Sequence, residues 1–171
     1  MPDIQTWMSL SFLNLNDRKT EVTVFGHHGL YSDCVDALPP SLGSKHCSVI
    51  KSLSVTLDRD FKFDRQIGYV VKSAFFQLRL LGSVKPYLSP SDLEKVIHAF
   101  IFPRLDYCNS LYVGLDQRSL QRLQLVQSAA ARLLTGTKKQ EHINPVLPSL
   151  HWLPVRFRID FKILMFVFKI F

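Results

Sequence analysis

The chain has 171 residues, 47% of them hydrophobic, with seven glycines and three cysteines. This composition excludes wholesale disorder, and an odd number of cysteines at irregular spacing excludes a disulfide scaffold. The formal charge of +7 is unevenly placed: residues 1–57 hold four Lys and Arg against five Asp and Glu, and residues 58–171 hold seventeen against nine.

A basic second half suits a polyanionic partner, because Lys and Arg displace the counterions condensed on nucleic acid. A positive surface kept for solubility is the other reading. The length fits one domain, or one domain with a piece of another. The N-terminus shows no basic n-region followed by an apolar core, and the longest apolar run, residues 163–168, falls far short of the roughly 20 residues a bilayer span requires. The expectation is an intracellular protein, nuclear or cytoplasmic, outside the membrane.

In chain order, residues 3–15 place Ile4, Trp7, Met8 and Leu15 at broadly helical spacing. Residues 20–26 alternate and are rich in β-branched side chains, which predicts a strand. Residues 27–46 collect Gly29, Pro39, Pro40, Gly43 and several serines, which predicts a loop. A second strand is predicted over residues 48–57, with Val49, Leu53, Val55 and Leu57 largely on one face.

From Asp64 the period becomes helical. Ile67, Val70, Val71, Ala74, Phe75, Leu78 and Leu81 follow the i, i+3, i+4, i+7 series, and Gly82 and Pro86 are expected to end the helix. Ser89 or Ser91 can cap the next helix, whose stripe is Leu93, Val96, Ile97, Phe100 and Ile101, with Pro103 expected to kink it. A third helix starts near Asp116, buries Leu120, Leu123, Val126, Ala130, Leu133 and Leu134, and stops at Gly136. A fourth occupies residues 155–171.

The chemistry-bearing residues are few. The sequence contains no Asp-Asp pair, and Asp58, Asp60 and Asp64 fall where a strand gives way to a helix, which favours capping and turn roles over metal binding. His27, His28, Cys34, His46 and Cys47 supply zinc-ligand types, but adjacent His-His and His-Cys pairs point apart and fit no familiar spacing. His98, Cys108, His151 and Trp152 read as structural, with Trp152 expected to anchor the last helix.

On the first long helix, Arg65, Lys72 and Arg79 fall within roughly 40° of one another opposite the apolar stripe, and Tyr69 and Phe76 share that side. Charge interleaved with rings suits a sugar–phosphate backbone; a solvated outer face with a packed Phe76 is the alternative. Arg118, Arg122 and Arg132 of the third helix align within roughly 80° and either extend that track or favour the helix dipole. The last helix is apolar around much of its circumference. Arg156, Arg158, Lys162 and Lys169 would be interfacial cations were it to meet a membrane surface, and truncation inside a longer protein explains its apolar surface with less invention.

Several motifs occur in an order that resembles the reverse transcriptase of non-LTR, LINE-type (jockey-like) retrotransposons, downstream of its catalytic aspartates. They are Ser52-Leu-Ser-Val-Thr-Leu-Asp58, Phe63-Asp64, Ala74-Phe-Phe76, Ile97-His-Ala-Phe-Ile101, Arg104-Leu-Asp-Tyr-Cys-Asn109, Leu120-Gln-Arg-Leu-Gln-Leu-Val-Gln-Ser-Ala-Ala130 and Leu150-His-Trp-Leu-Pro154. Ser52 and Ser54 stand where the family's hairpin has asparagine and glycine.

The resemblance implies an α+β, mainly α fold: a short hairpin region followed by a four-helix, thumb-like bundle. Residues 1–60 would be the end of the palm, and residues 61–171 a helical thumb and linker region truncated at its C-terminus. It implies a fragment of an RNA-directed DNA polymerase, catalytically incomplete on its own and with no cofactor in the fragment, although the parent family uses Mg2+. The expected partners are the backbone of an RNA or RNA–DNA duplex and the remainder of the polymerase palm. The expected contacts are Arg65, Tyr69, Lys72, Phe76, Arg79, Arg118, Arg122 and Arg132. The alternatives are a non-catalytic remnant docking a protein through its apolar last helix, or a decayed element with no function.

Overall fold

The computed structural model describes residues 2–14, 16, 19–26 and 34–170, and the fold is α+β, mainly helical, with one antiparallel hairpin among the described residues. The chain divides into two compact units, Met1–Phe61 and Lys62–Phe171.

The first unit opens with helix α1, Pro2–Leu10, which leaves Ile4, Trp7 and Leu10 exposed. The strand expected over residues 20–26 does not form. Val22 makes a single parallel bridge with His46, fixed by Val22 N–H to the Lys45 carbonyl (3.0 Å) and Cys47 N–H to the Val22 carbonyl (2.8 Å). β-Propensity without a second row of partners yields a bridge rather than a ladder.

Part of the expected loop is helical: α2 spans Pro40–Gly43, with Pro in its first turn. Residues 27–33, including His27 and His28, lie outside the described residues. So do Leu15, Asp17 and Arg18 in the expected helix-to-strand passage.

The single strand expected over residues 48–57 is a hairpin. β1 (Val49–Ser52) and β2 (Val55–Asp58) pair with Val49 opposite Asp58 and Ser52 opposite Val55. Leu53 (φ 44°) and Ser54 (φ 66°) form the two-residue turn, and positive φ at both central positions is the hairpin geometry that matches strand twist. Neither is Gly, Asn or Asp, so the alternation alone read as one strand, whereas the hairpin implied by the family resemblance is present. Behind the hairpin Phe61 stacks on Phe25, centroids 4.6 Å apart.

The second unit is helical. Helix α3, Asp64–Val84, buries Ile67, Val70, Ala74, Leu78 and Leu81. It passes through Gly82, where its end was expected, and Gly82 faces the Leu133 side chain, which a Cβ would meet in ordinary contact at 3.9 Å. A 3-10 turn, Lys85–Tyr87, follows, and the Lys85 ammonium donates to the Leu133 carbonyl at 2.5 Å.

Ser89 caps helix α4 (Pro90–Phe100) by accepting from the Asp92 amide at 3.1 Å. Pro103 sits in the first turn of a new helix, α5 (Phe102–Asp106), so Ile101, Phe102 and Leu105 enter the core while Phe100 stays half exposed, against expectation. A 3-10 turn, Asn109–Tyr112, precedes helix α6, Gln117–Thr135, which is capped by Asp116 and closed by Gly136 at φ 73°. Short α7 (Val146–Ser149) and long α8 (Val155–Ile170) complete the unit.

The core gathers Ile67, Ile97, Ile101, Leu123 and Val126, each fully buried. Burial of an aliphatic side chain of this size contributes about 1.5–3 kcal/mol. Among the described residues, no helix is long and apolar enough to cross a membrane.

Candidate nucleic-acid interface

Helices α3 and α6 run in the same direction. The start of α3 meets the start of α6, where Arg122 Nη1 lies 3.7 Å from Asp64 Oδ1 and packs on Gly68. Their ends meet where Lys85 and Gly82 approach Leu133. With its inner face committed to this packing, α3 presents Arg65, Tyr69, Lys72, Phe76 and Arg79 on the opposite face, and all five are exposed. Tyr69 keeps 63% of its surface and Phe76 51%, so Phe76 is not a packed residue.

The three cations span about four turns, roughly 21 Å. Among the described residues none of them has an ion-pair or hydrogen-bond partner. Past Asp64 the helix contains no acidic residue.

The arginines of α6 are differently occupied. Arg118 is exposed beside a shallow cavity of about 290 Å3 that it lines with Asp64, Asp116, Ser119 and Arg122. The hydroxyl and then the amide of Ser119 hold the Asp116 carboxyl below its ordinary range, and Arg118 and Arg122 add to the effect. Charge here is mixed and largely compensated. Arg132 donates from Nη1 to the Lys138 carbonyl and from Nη2 to the Glu141 carbonyl (2.8 Å), so it ties down the loop after α6. The structure therefore brings Arg118 and Arg122 to the N-terminal end of the α3 stripe and gives Arg132 a structural occupation.

Arg158, an interfacial cation only in the less favoured membrane reading, is turned inward. Its Nε donates to Asp106 Oδ1 at 2.9 Å, its Nη2 to Asp106 Oδ2, and its guanidinium lies 4.6 Å from the centroid of Phe102. Phe102 in turn packs edge-on against Trp152 at 4.8 Å and stacks with His98 at 4.6 Å, and His98 meets Trp152 edge-on at 5.6 Å. Trp152 and His98 are thus packing residues at the root of α8.

The largest omission of the sequence reading is a pair of glutamines. Gln127, fully buried, donates to the Leu153 carbonyl at 2.9 Å and accepts from Gln124 Nε2 at 3.0 Å. The side-chain Oε1 of Gln124 accepts the backbone amide of Val155 at 2.9 Å. The pair satisfies an otherwise orphaned amide in the first turn of α8. Its signal was present: Gln127 occupies a position of the apolar stripe between Leu123 and Ala130, and a polar residue there requires a partner.

Among the described residues no three His, Cys, Asp or Glu side chains gather as a metal cluster would. No protein-family model, curated protein or solved structure matches the chain.

Proposed function

We propose that this chain is the late palm and thumb portion of a LINE-type reverse transcriptase, and that its helical unit grips an RNA or RNA–DNA duplex through the sugar–phosphate backbone. The observation that carries the reading is the outer face of α3: Arg65, Lys72 and Arg79 exposed and unengaged, interleaved with exposed Tyr69 and Phe76. Cations in a row neutralise phosphates, and exposed rings take sugar or stacking contacts. Arg118 and Arg122 lie at one end of this face, where Asp64 and Asp116 offset their charge. Base identity goes unread, because phosphate contacts fix position rather than sequence.

Polymerisation belongs to carboxylates outside this sequence. Two-metal catalysis needs paired carboxylates, and the sequence holds no Asp-Asp turn to supply them. The Mg2+ of the parent family would therefore be held elsewhere, with the remainder of the palm as the protein partner and an intracellular compartment as the setting.

The test is binding of a fluorescent RNA–DNA duplex across 50–300 mM salt. Backbone gripping by three to five cations gives a log-linear loss of affinity with a slope of roughly −3 to −4. Absence of binding at the lowest salt overturns the proposal. The rival reading, a protein-interaction remnant, draws on the exposed apolar side of α8, and apolar docking is nearly indifferent to salt.

A further inference from the structure

Helix α8 has its fully buried side chains in its first half. Val155 and Ile159 are buried, Arg158 is clasped by Asp106, and beyond them every apolar side chain from Phe166 to Ile170 is at least 46% exposed. On the side opposite the buried pair, Phe157, Phe161, Leu164 and Phe168 recur at i, i+4, i+7 and i+11. At 100° per residue they lie within roughly 60°, which is the seam of a heptad repeat. Side chains at this spacing have the phase that lets a second helix seat along them.

We infer that this seam pairs α8 with the α8 of a second copy of the chain, in a two-fold symmetric dimer. The area decides in favour of a copy. The four side chains, exposed by 54%, 58%, 65% and 83%, present roughly 500 Å2 of apolar surface. Pairing two such seams removes at most roughly 1,000 Å2 from water, the size of a weak, transient interface. Self-pairing is also free of charge conflict. The flanking positions are Arg158, Asp160, Met165 and Val167, and the Arg158 charge is already compensated by Asp106. Lys162 and Lys169 project away from the seam, so no like charges are pressed together. A seam of about three turns gives a weak, micromolar dimer.

Sedimentation velocity of the full chain from about 1 to 100 μM tests this. The expected result is a reversible shift from monomer to dimer. Phe168→Glu, at the most exposed seam position, should raise the dimer Kd at least roughly tenfold with the far-UV circular dichroism unchanged. Phe166→Glu adds the same charge two residues away on the opposite side of α8 and should change the Kd less than about twofold. Leu164→Asp is the second seam variant should Phe168→Glu not fold. The inference is overturned by a monomer at all concentrations, by open-ended growth in mass, or by equal effects of Phe166→Glu and Phe168→Glu. It is also overturned if the monomer binds anionic vesicles and dimer never forms.

Discussion

Helices α3 and α6 run side by side and carry three basic residues each, yet their cations do different work. Those of α3 stand directly opposite the core with no acidic residue along the helix past Asp64, so nothing competes for them. Those of α6 sit at its ends, where Asp64 and the carbonyls of the following loop are within reach, and two of the three are engaged. A cation is available to a ligand only when the fold has left it nothing nearer, so the phase of a charge relative to the core predicts its role better than charge count does.

The comparison is broken or sharpened by substitution. The largest effect is expected from Arg65→Glu, Lys72→Glu and Arg79→Glu combined, which should lower RNA–DNA duplex affinity at least roughly 100-fold and flatten the salt slope by about 2.7. Fluorescence anisotropy reads both, and a urea melt should show stability within about 0.5 kcal/mol of the parent.

Gln127→Leu, on the inner face of α6, should cost about 2 kcal/mol in the same melt, because it orphans the Leu153 carbonyl and the Gln124 amide. Arg132→Ala should cost about 1 kcal/mol by releasing the Lys138 and Glu141 carbonyls, with duplex affinity unchanged within about twofold. If it instead matched the α3 variants in binding, the distinction between the two helices would fail. Arg122→Ala should cost less than about 0.5 kcal/mol, since its pair with Asp64 is 3.7 Å long and well exposed.

Acid gives the smallest effect. Asp92 and Asp116, the carboxylates at the starts of α4 and α6, titrate below the ordinary aspartate value of 3.8, the first through Ser89 and Lys95, the second through Ser119. A depressed carboxylate contributes stability that is present above 3.8 and is lost as pH falls through its lower folded value. The melting temperature between pH 5 and 3 should therefore drop slightly less for Asp116→Asn than for the parent.

The helical unit was largely legible from periodicity. α3, α6 and α8 fall close to their expected spans, because a stripe repeated over four or five turns averages out single exceptions such as Gly82. The first unit was less so. Its turn at Leu53 and Ser54 uses residues that favour no positive φ, and the strand expected over residues 20–26 depends on partners that local sequence does not specify. The α3 face was legible because exposure follows from phase alone. The fates of Arg132 and Arg158 were not, since each depends on carbonyls or a carboxylate supplied by another segment.

The two glutamines of α6 carry a consequence for inheritance. Residues 120–130 and 150–155 form one hydrogen-bonded clasp separated by a loop of the chain, so neither stretch can drift freely while the other stays fixed. A chimera that exchanged everything after residue 140 for a helix of unrelated origin would leave Gln127 buried with no carbonyl to meet. Sequences descended from the same ancestor should keep or lose both glutamines and the segment they hold as a single heritable block.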